Sequence, residues 1–114
     1  MNNIENEILN IFVEESLESL DAWEKCCLSL VAVDGGGHAK PVRNSENAGA
    51  VAHLFRLAHN MKGSSKSVGL AALGAFVHVV EDLILDLKDG RVSVSFAVSS
   101  LLLKCEATLR AWLE

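Results

Sequence analysis

Four polar side chains stand at spacings that allow joint chemistry. His59 is followed three residues on by Lys62, and then by Gly63. Residues three apart on a helix are neighbours, so the Lys62 ammonium can reach the space above the imidazole. His78 and Glu81 repeat that interval further along the chain. A neutral imidazole is a nucleophile at physiological pH. A carboxylate bonded to one ring nitrogen fixes the tautomer and leaves the lone pair of the other nitrogen facing outward. A lysine beside the ring supplies positive charge to anionic oxygens, those of a phosphoryl group among them. The set therefore suits nucleophilic group transfer at an imidazole. Gly63 costs a helix about 1 kcal/mol relative to alanine, which raises the question of what must approach the backbone there. A metal centre fits less well, because a lysine stands beside the candidate ligands. His78-x-x-Glu81 also reverses the Glu-x-x-His order of metal-binding bundles and has no second copy. A hydrolase would need a buried pocket, which a small bundle rarely encloses.

The elements that must position these residues read as helices. From about Ile4 to Val31, Val13, Leu17, Leu20, Cys27 and Val31 recur at helical spacing, and Ile4, Ile8, Ile11 and Phe12 begin the stripe. Acidic residues near its start (Glu14, Glu15, Glu18 and Asp21) suit the N-terminal half of a helix. Asp34 to about Asn44 holds three consecutive glycines and the only proline, and reads as a loop. A second helix starts near Ser45 and fades from Ser64 to Gly69, with Val51, Leu54, Phe55, Ala58, Met61 and Ser65 on one face. Leu70 to Lys88 has the cleanest period, through Leu73, Val77, Val80, Ile84 and Leu87, and Gly90 marks its end. Val92 to Phe96 alternates as a strand would, but a lone strand has no partner. The last segment is read as helix to Leu113, capped by Ser93 or Ser95. The fold class expected is all-α: an up-down antiparallel four-helix bundle, with a short extra helix as an allowed addition.

The chain has 114 residues and a formal net charge of −5, with 50% apolar and 22% charged residues. This is one domain, 1–114, with enough chain to bury roughly two-thirds of its unfolded surface. Disordered and collagen-like classes are excluded. An acidic domain is a poor partner for nucleic acid, where phosphate neutralisation dominates. Cys26, Cys27 and Cys105 show no C-x-x-C spacing and read as reduced core thiols. Neither a signal peptide nor an apolar run of membrane-spanning length is present, so a cytoplasmic location without membrane insertion is expected. Trp23 and Trp112 are read as packing residues, His38 and His53 as surface residues, and Ser64, Ser65 and Ser67 as turn and cap residues.

His59-x-x-Lys62-Gly63-x-x-x-x-x-Gly69 resembles the signature of histidine phosphotransfer (HPt) domains. The likeness is greatest to the N-terminal phosphoacceptor domain of CheA-type chemotaxis histidine kinases. Phe12-Val-Glu-Glu-Ser-Leu-Glu-Ser-Leu20 is similar to that family's first helix. Leu54-Phe-Arg-Leu-Ala-His59 is similar to its approach to the active histidine, and His78-Val-Val-Glu81 to part of its third helix. The resemblance covers residues 4 to 113. Two departures are the glycine-rich first loop and Lys66, where many relatives carry small or apolar residues.

The resemblance implies that His59 is the phosphoacceptor and that Glu81 bonds its other ring nitrogen. Lys62 and His78 would complete a polar network, and Gly63 would leave room for a docking partner. The implied partners are a histidine kinase ATP-binding domain, in the same or another chain, and a response-regulator receiver domain, which brings the magnesium. No Walker-type phosphate loop is written here, so the domain is a carrier without an ATP site, a cofactor or a metal of its own. It is expected to be monomeric in isolation. Ending just after the fourth helix favours a domain from a larger kinase over a stand-alone relay carrier. The alternative is a non-catalytic helical module that binds a receiver without being phosphorylated.

Overall fold

The computed structural model describes residues 3–34 and 44–114, as four helices: α1 (Asn3–Asp34), α2 (Asn44–Ser67), α3 (Ala71–Lys88) and α4 (Phe96–Leu113). They form the expected antiparallel bundle. α2 packs along α3, α1 packs against both α4 and α2, and α3 meets α4 over a smaller area. Among the described residues there is no further helix. The glycine run, His38 and Pro41 lie outside the described residues.

The core follows the apolar stripes. Leu20, Trp23, Cys27, Leu54, Ala58, Val77, Ile84, Leu102 and Leu109 are fully buried. The Trp23 indole N–H donates to the Leu102 carbonyl at 3.1 Å, tying α1 to α4. Trp112 is instead half-exposed and leans on Phe76. The first turns of α1 depart from the stripe: Ile4, Ile8 and Ile11 are 67%, 50% and 54% exposed. The cause is length. Arg110 of α4 reaches Asp21 of α1, and α4 ends three residues later. The start of α1 therefore runs past α4, beside the end of α2 and the turn at Gly69 and Leu70.

Two turns set the helix register around the site, and both are Schellman closures. At the end of α2, Gly69 adopts φ +83°. Its N–H donates to Lys66 O at 3.1 Å, and the Leu70 N–H donates to Ser65 O at 2.8 Å. At the end of α3, Gly90 adopts φ +78°. Its N–H donates to Leu87 O, and the Arg91 N–H donates to Asp86 O. Only glycine takes this left-handed conformation without strain. Residues 91–95 then run as a connection rather than as helix. Ser95 is the cap of α4, its Oγ accepting from the Val98 N–H at 3.2 Å.

Candidate functional site

His59 lies on the exposed side of α2, 59% exposed, where the apolar stripe meets solvent. Its Nδ1 is 2.7 Å from Glu81 Oε2 on α3. The Lys62 ammonium donates to the other oxygen of the same carboxylate at 2.8 Å. Glu81 is buried, only 7% of its side chain being exposed, while Lys62 is 20% exposed. The i, i+3 spacing of His59 and Lys62 thus aims both side chains at one carboxylate across the α2–α3 seam.

Burial alone would push the Glu81 carboxyl up. The hydrogen bonds and charges of Lys62 and His59 outweigh it and hold the group below its ordinary value. Glu81 is therefore ionised at neutral pH and can only accept hydrogen bonds. It follows that Nδ1 of a neutral His59 carries the ring proton, and the Nε2 lone pair is free.

His78 does not join this set in the way its spacing suggested. Its Nε2 lies 3.9 Å from Asp82 Oδ1 on its own helix, and the ring is 54% exposed. Glu81 instead takes one donor on each oxygen from α2, His59 and Lys62. His78, Glu81 and Asp82 do place three potential ligand atoms within 4.8 Å of one another. A cation there would compete with the Lys62 ammonium for Glu81, so the donor set is a poor metal site.

Two glycines near the site differ in kind. A Cβ on Gly63 would meet nothing within 4 Å, so the bundle itself does not require glycine there. A Cβ on Gly74 would lie 2.9 Å from Ser65 Oγ, 3.4 Å from Lys66 Cγ and 3.6 Å from the Lys62 carbonyl. Gly74 lets α3 close on α2 beside Lys62. Sequence reading missed it, because a glycine inside a clean helical period gives no sign of what faces it.

The apolar period of α2 places Phe55 on the core face. It also stacks on the His59 ring. His53, read as a surface residue, is half-buried, with Nδ1 3.5 Å from Cys26 Sγ. The cysteines are free thiols as expected, and burial, with smaller contributions from neighbouring groups, pushes Cys27 up to about 12.

An exposed imidazole, tied through one nitrogen to a buried carboxylate on a helical bundle, defines a histidine-presenting helical module. The Hpt domain family model matches residues 7–112, and the chain belongs to that family. The chemotaxis protein CheA of Borreliella burgdorferi is 32% identical over 102 residues, covering 89% of this chain and 10% of its own length. CheA of Treponema pallidum is 40% identical over 68 residues, covering 60% of this chain and 8% of its own. This chain therefore spans about a tenth of the length of these relatives. Among solved structures, the phosphorylated P1 domain of CheA3, in complex with CheY6 from R. sphaeroides, superposes with a TM-score of 0.73. It is 34% identical, over 94% of this chain and 75% of that one. The chain is thus a histidine phosphotransfer domain similar to the CheA phosphoacceptor domain.

Proposed function

We propose that His59 is the phosphoacceptor, with Nε2 as the atom that carries the phosphoryl group. The supporting observation is the tie between the exposed ring and buried Glu81 through Nδ1, at 2.7 Å. In the first transfer the Nε2 lone pair forms a bond to phosphorus as the bond from phosphorus to its donor oxygen breaks. Nδ1–H stays on Glu81, whose charge balances the positive charge developing on the ring. Lys62, held beside the ring by Glu81, supplies positive charge towards the phosphoryl oxygens. In the second transfer a carboxylate oxygen attacks phosphorus, the N–P bond breaks, and its electron pair returns to Nε2. His78, at the rim, contributes to the surrounding field rather than to the hydrogen-bonded set.

The donor is a histidine kinase ATP-binding domain, and the acceptor is an aspartate of a receiver domain of the CheY kind. These partners meet the module in the cytoplasm; no helix among the described residues is long and apolar enough to cross a membrane. The surface for the receiver is the exposed backbone at Gly63 and the groove between α1 and α2, lined by Ile8, Ile11, Glu15, His59 and Val68. This groove explains why a glycine unconstrained by its own fold stands one turn from His59.

The test is intact mass at neutral pH after incubation with phosphoramidate, for wild type and His59→Gln. The expected result is one acid-labile phosphoryl group on wild type and none on the variant, with unchanged helical content. A phosphoryl group on the variant would refute the assignment. A wild type that neither phosphoramidate nor a CheA-type kinase domain can phosphorylate would leave the non-catalytic receiver-binding module.

A further inference from the structure

The hydrogen bond from Nδ1 to Glu81 fixes only one edge of the His59 imidazole. The ring could still swing about the Nδ1···Oε2 line, because the second side-chain torsion of histidine is soft. More than half of its side chain faces solvent, so little else in the bundle restrains it. One contact does. Phe55 lies one turn earlier on α2, at the i, i+4 spacing that brings side chains together. Its ring centroid is 5.9 Å from that of His59, and the two planes are 19° from parallel. This is an offset stack within the range favoured by aromatic pairs.

Phe55 is itself held. It is half-buried and packed against the core cluster. From the last turn of α3, the Lys88 ammonium stands over its ring, 5.7 Å from the centroid. The imidazole therefore has two restraints of different kinds. Glu81 sets the direction of one edge, and Phe55 sets the plane. Together they leave Nε2 with a single outward orientation.

We infer that Phe55 is a positioning residue for phosphoryl transfer at His59, acting through the plane of the imidazole, with Lys88 seating the Phe55 ring. The kinetic part of this inference rests on the phosphoacceptor assignment. The structural part does not.

The experiment compares wild type with Phe55→Leu, Phe55→Tyr and Phe55→Met. Three readouts are taken on each: the rate of phosphorylation by phosphoramidate, the ring-proton and ring-nitrogen shifts of His59 by NMR, and the thermal midpoint. Phe55→Leu keeps an apolar core contact but removes the flat face. It should slow phosphorylation about two- to tenfold, remove the ring-current shift of the His59 protons, and broaden the ring signals. Phe55→Tyr should restore both rate and shift. Phe55→Met gives the same test if the leucine variant fails to fold. A merely structural role would lower the midpoint while leaving the rate of the folded protein and the His59 shifts unchanged. That result, or the absence of a ring-current shift in wild type, would overturn the inference. A wild type that shows the ring-current shift but accepts no phosphoryl group from phosphoramidate or a kinase domain would refute the phosphoacceptor assignment and the kinetic role built on it, leaving only the stacking contact.

Discussion

Glu81 and Glu106 are both buried, at 6% and 4% exposure, and both are paired with a cation. Glu106 accepts from Arg110, four residues on along α4, through Nε at 2.7 Å. The same guanidinium continues to Asp21 on α1 at 2.9 Å. That chain joins two carboxylates through a guanidinium, which offers no lone pair. It can brace α4 against α1 and do nothing else. Glu81 shares its carboxylate between a lysine and an imidazole, and the imidazole has a second nitrogen facing solvent. One arrangement is a strut, and the other leaves a ring nitrogen available for the proposed transfer. The difference lies in whether the partner keeps a reactive atom outside the ion pair.

Breaking the two carboxylates in turn should show that only one of them sets the rate. Glu81→Ala should slow phosphorylation of His59 about ten- to a hundredfold, the scale of one charge-assisted hydrogen bond. It should also lose stability, as Lys62 is only 20% exposed and is left without its carboxylate. Initial rates with phosphoramidate test this, and a wild-type rate would remove Glu81 from the mechanism. Glu106→Ala should lose about 1–3 kcal/mol in a urea titration while the rate stays unchanged. A slowed rate in the folded Glu106 variant would mean that the strut also serves the site.

Lys62→Met should slow phosphorylation by less, about two- to tenfold, through loss of one cation. It should also move the Glu81 titration, because hydrogen bonding to Lys62 is the foremost influence holding that carboxyl down. A carboxyl whose value is lower folded than unfolded adds stability above its ordinary range, near pH 4.3. That stability is lost as pH falls through the lower folded value. In Lys62→Met the folded value rises, so less stability should be lost on acidification. Thermal midpoints measured from pH 7 down to 3 give the comparison, and identical profiles would contradict it.

The glycines offer the mildest break. Gly63→Ala should stabilise the bundle by up to about 1 kcal/mol yet slow transfer to a receiver domain, whereas Gly74→Ala should destabilise the α2–α3 seam. Unfolding curves beside receiver-transfer assays check both. An unimpaired Gly63→Ala would remove the case for docking at that backbone.

The sequence carried the helices clearly, because their burial follows from period alone. Gly69, Gly90 and Ser95 marked turns whose geometry the structure bears out. His59, Lys62 and Glu81 were legible from type and spacing together with the resemblance. What was not legible depended on contacts across helices. His78-x-x-Glu81 looked like a working pair, but Glu81 turns to α2 and leaves His78 with Asp82. Glu106-x-x-x-Arg110 carried ordinary helix-surface spacing, and nothing in one dimension marked it as buried. Ile4, Ile8 and Ile11 continued an apolar stripe that outruns its partner helix.

The central claim is that Glu81 holds Nδ1 of His59 so that Nε2 takes the phosphoryl group. It is tested most directly by long-range ¹H–¹⁵N NMR of protein labelled with ¹⁵N-histidine, recorded before and after phosphoramidate. The account predicts an Nδ1–H tautomer at His59 beforehand and a phosphorylated Nε2 afterwards, with His53 and His78 unchanged. A phosphoryl group on Nδ1 of His59, or on any other histidine, would contradict it.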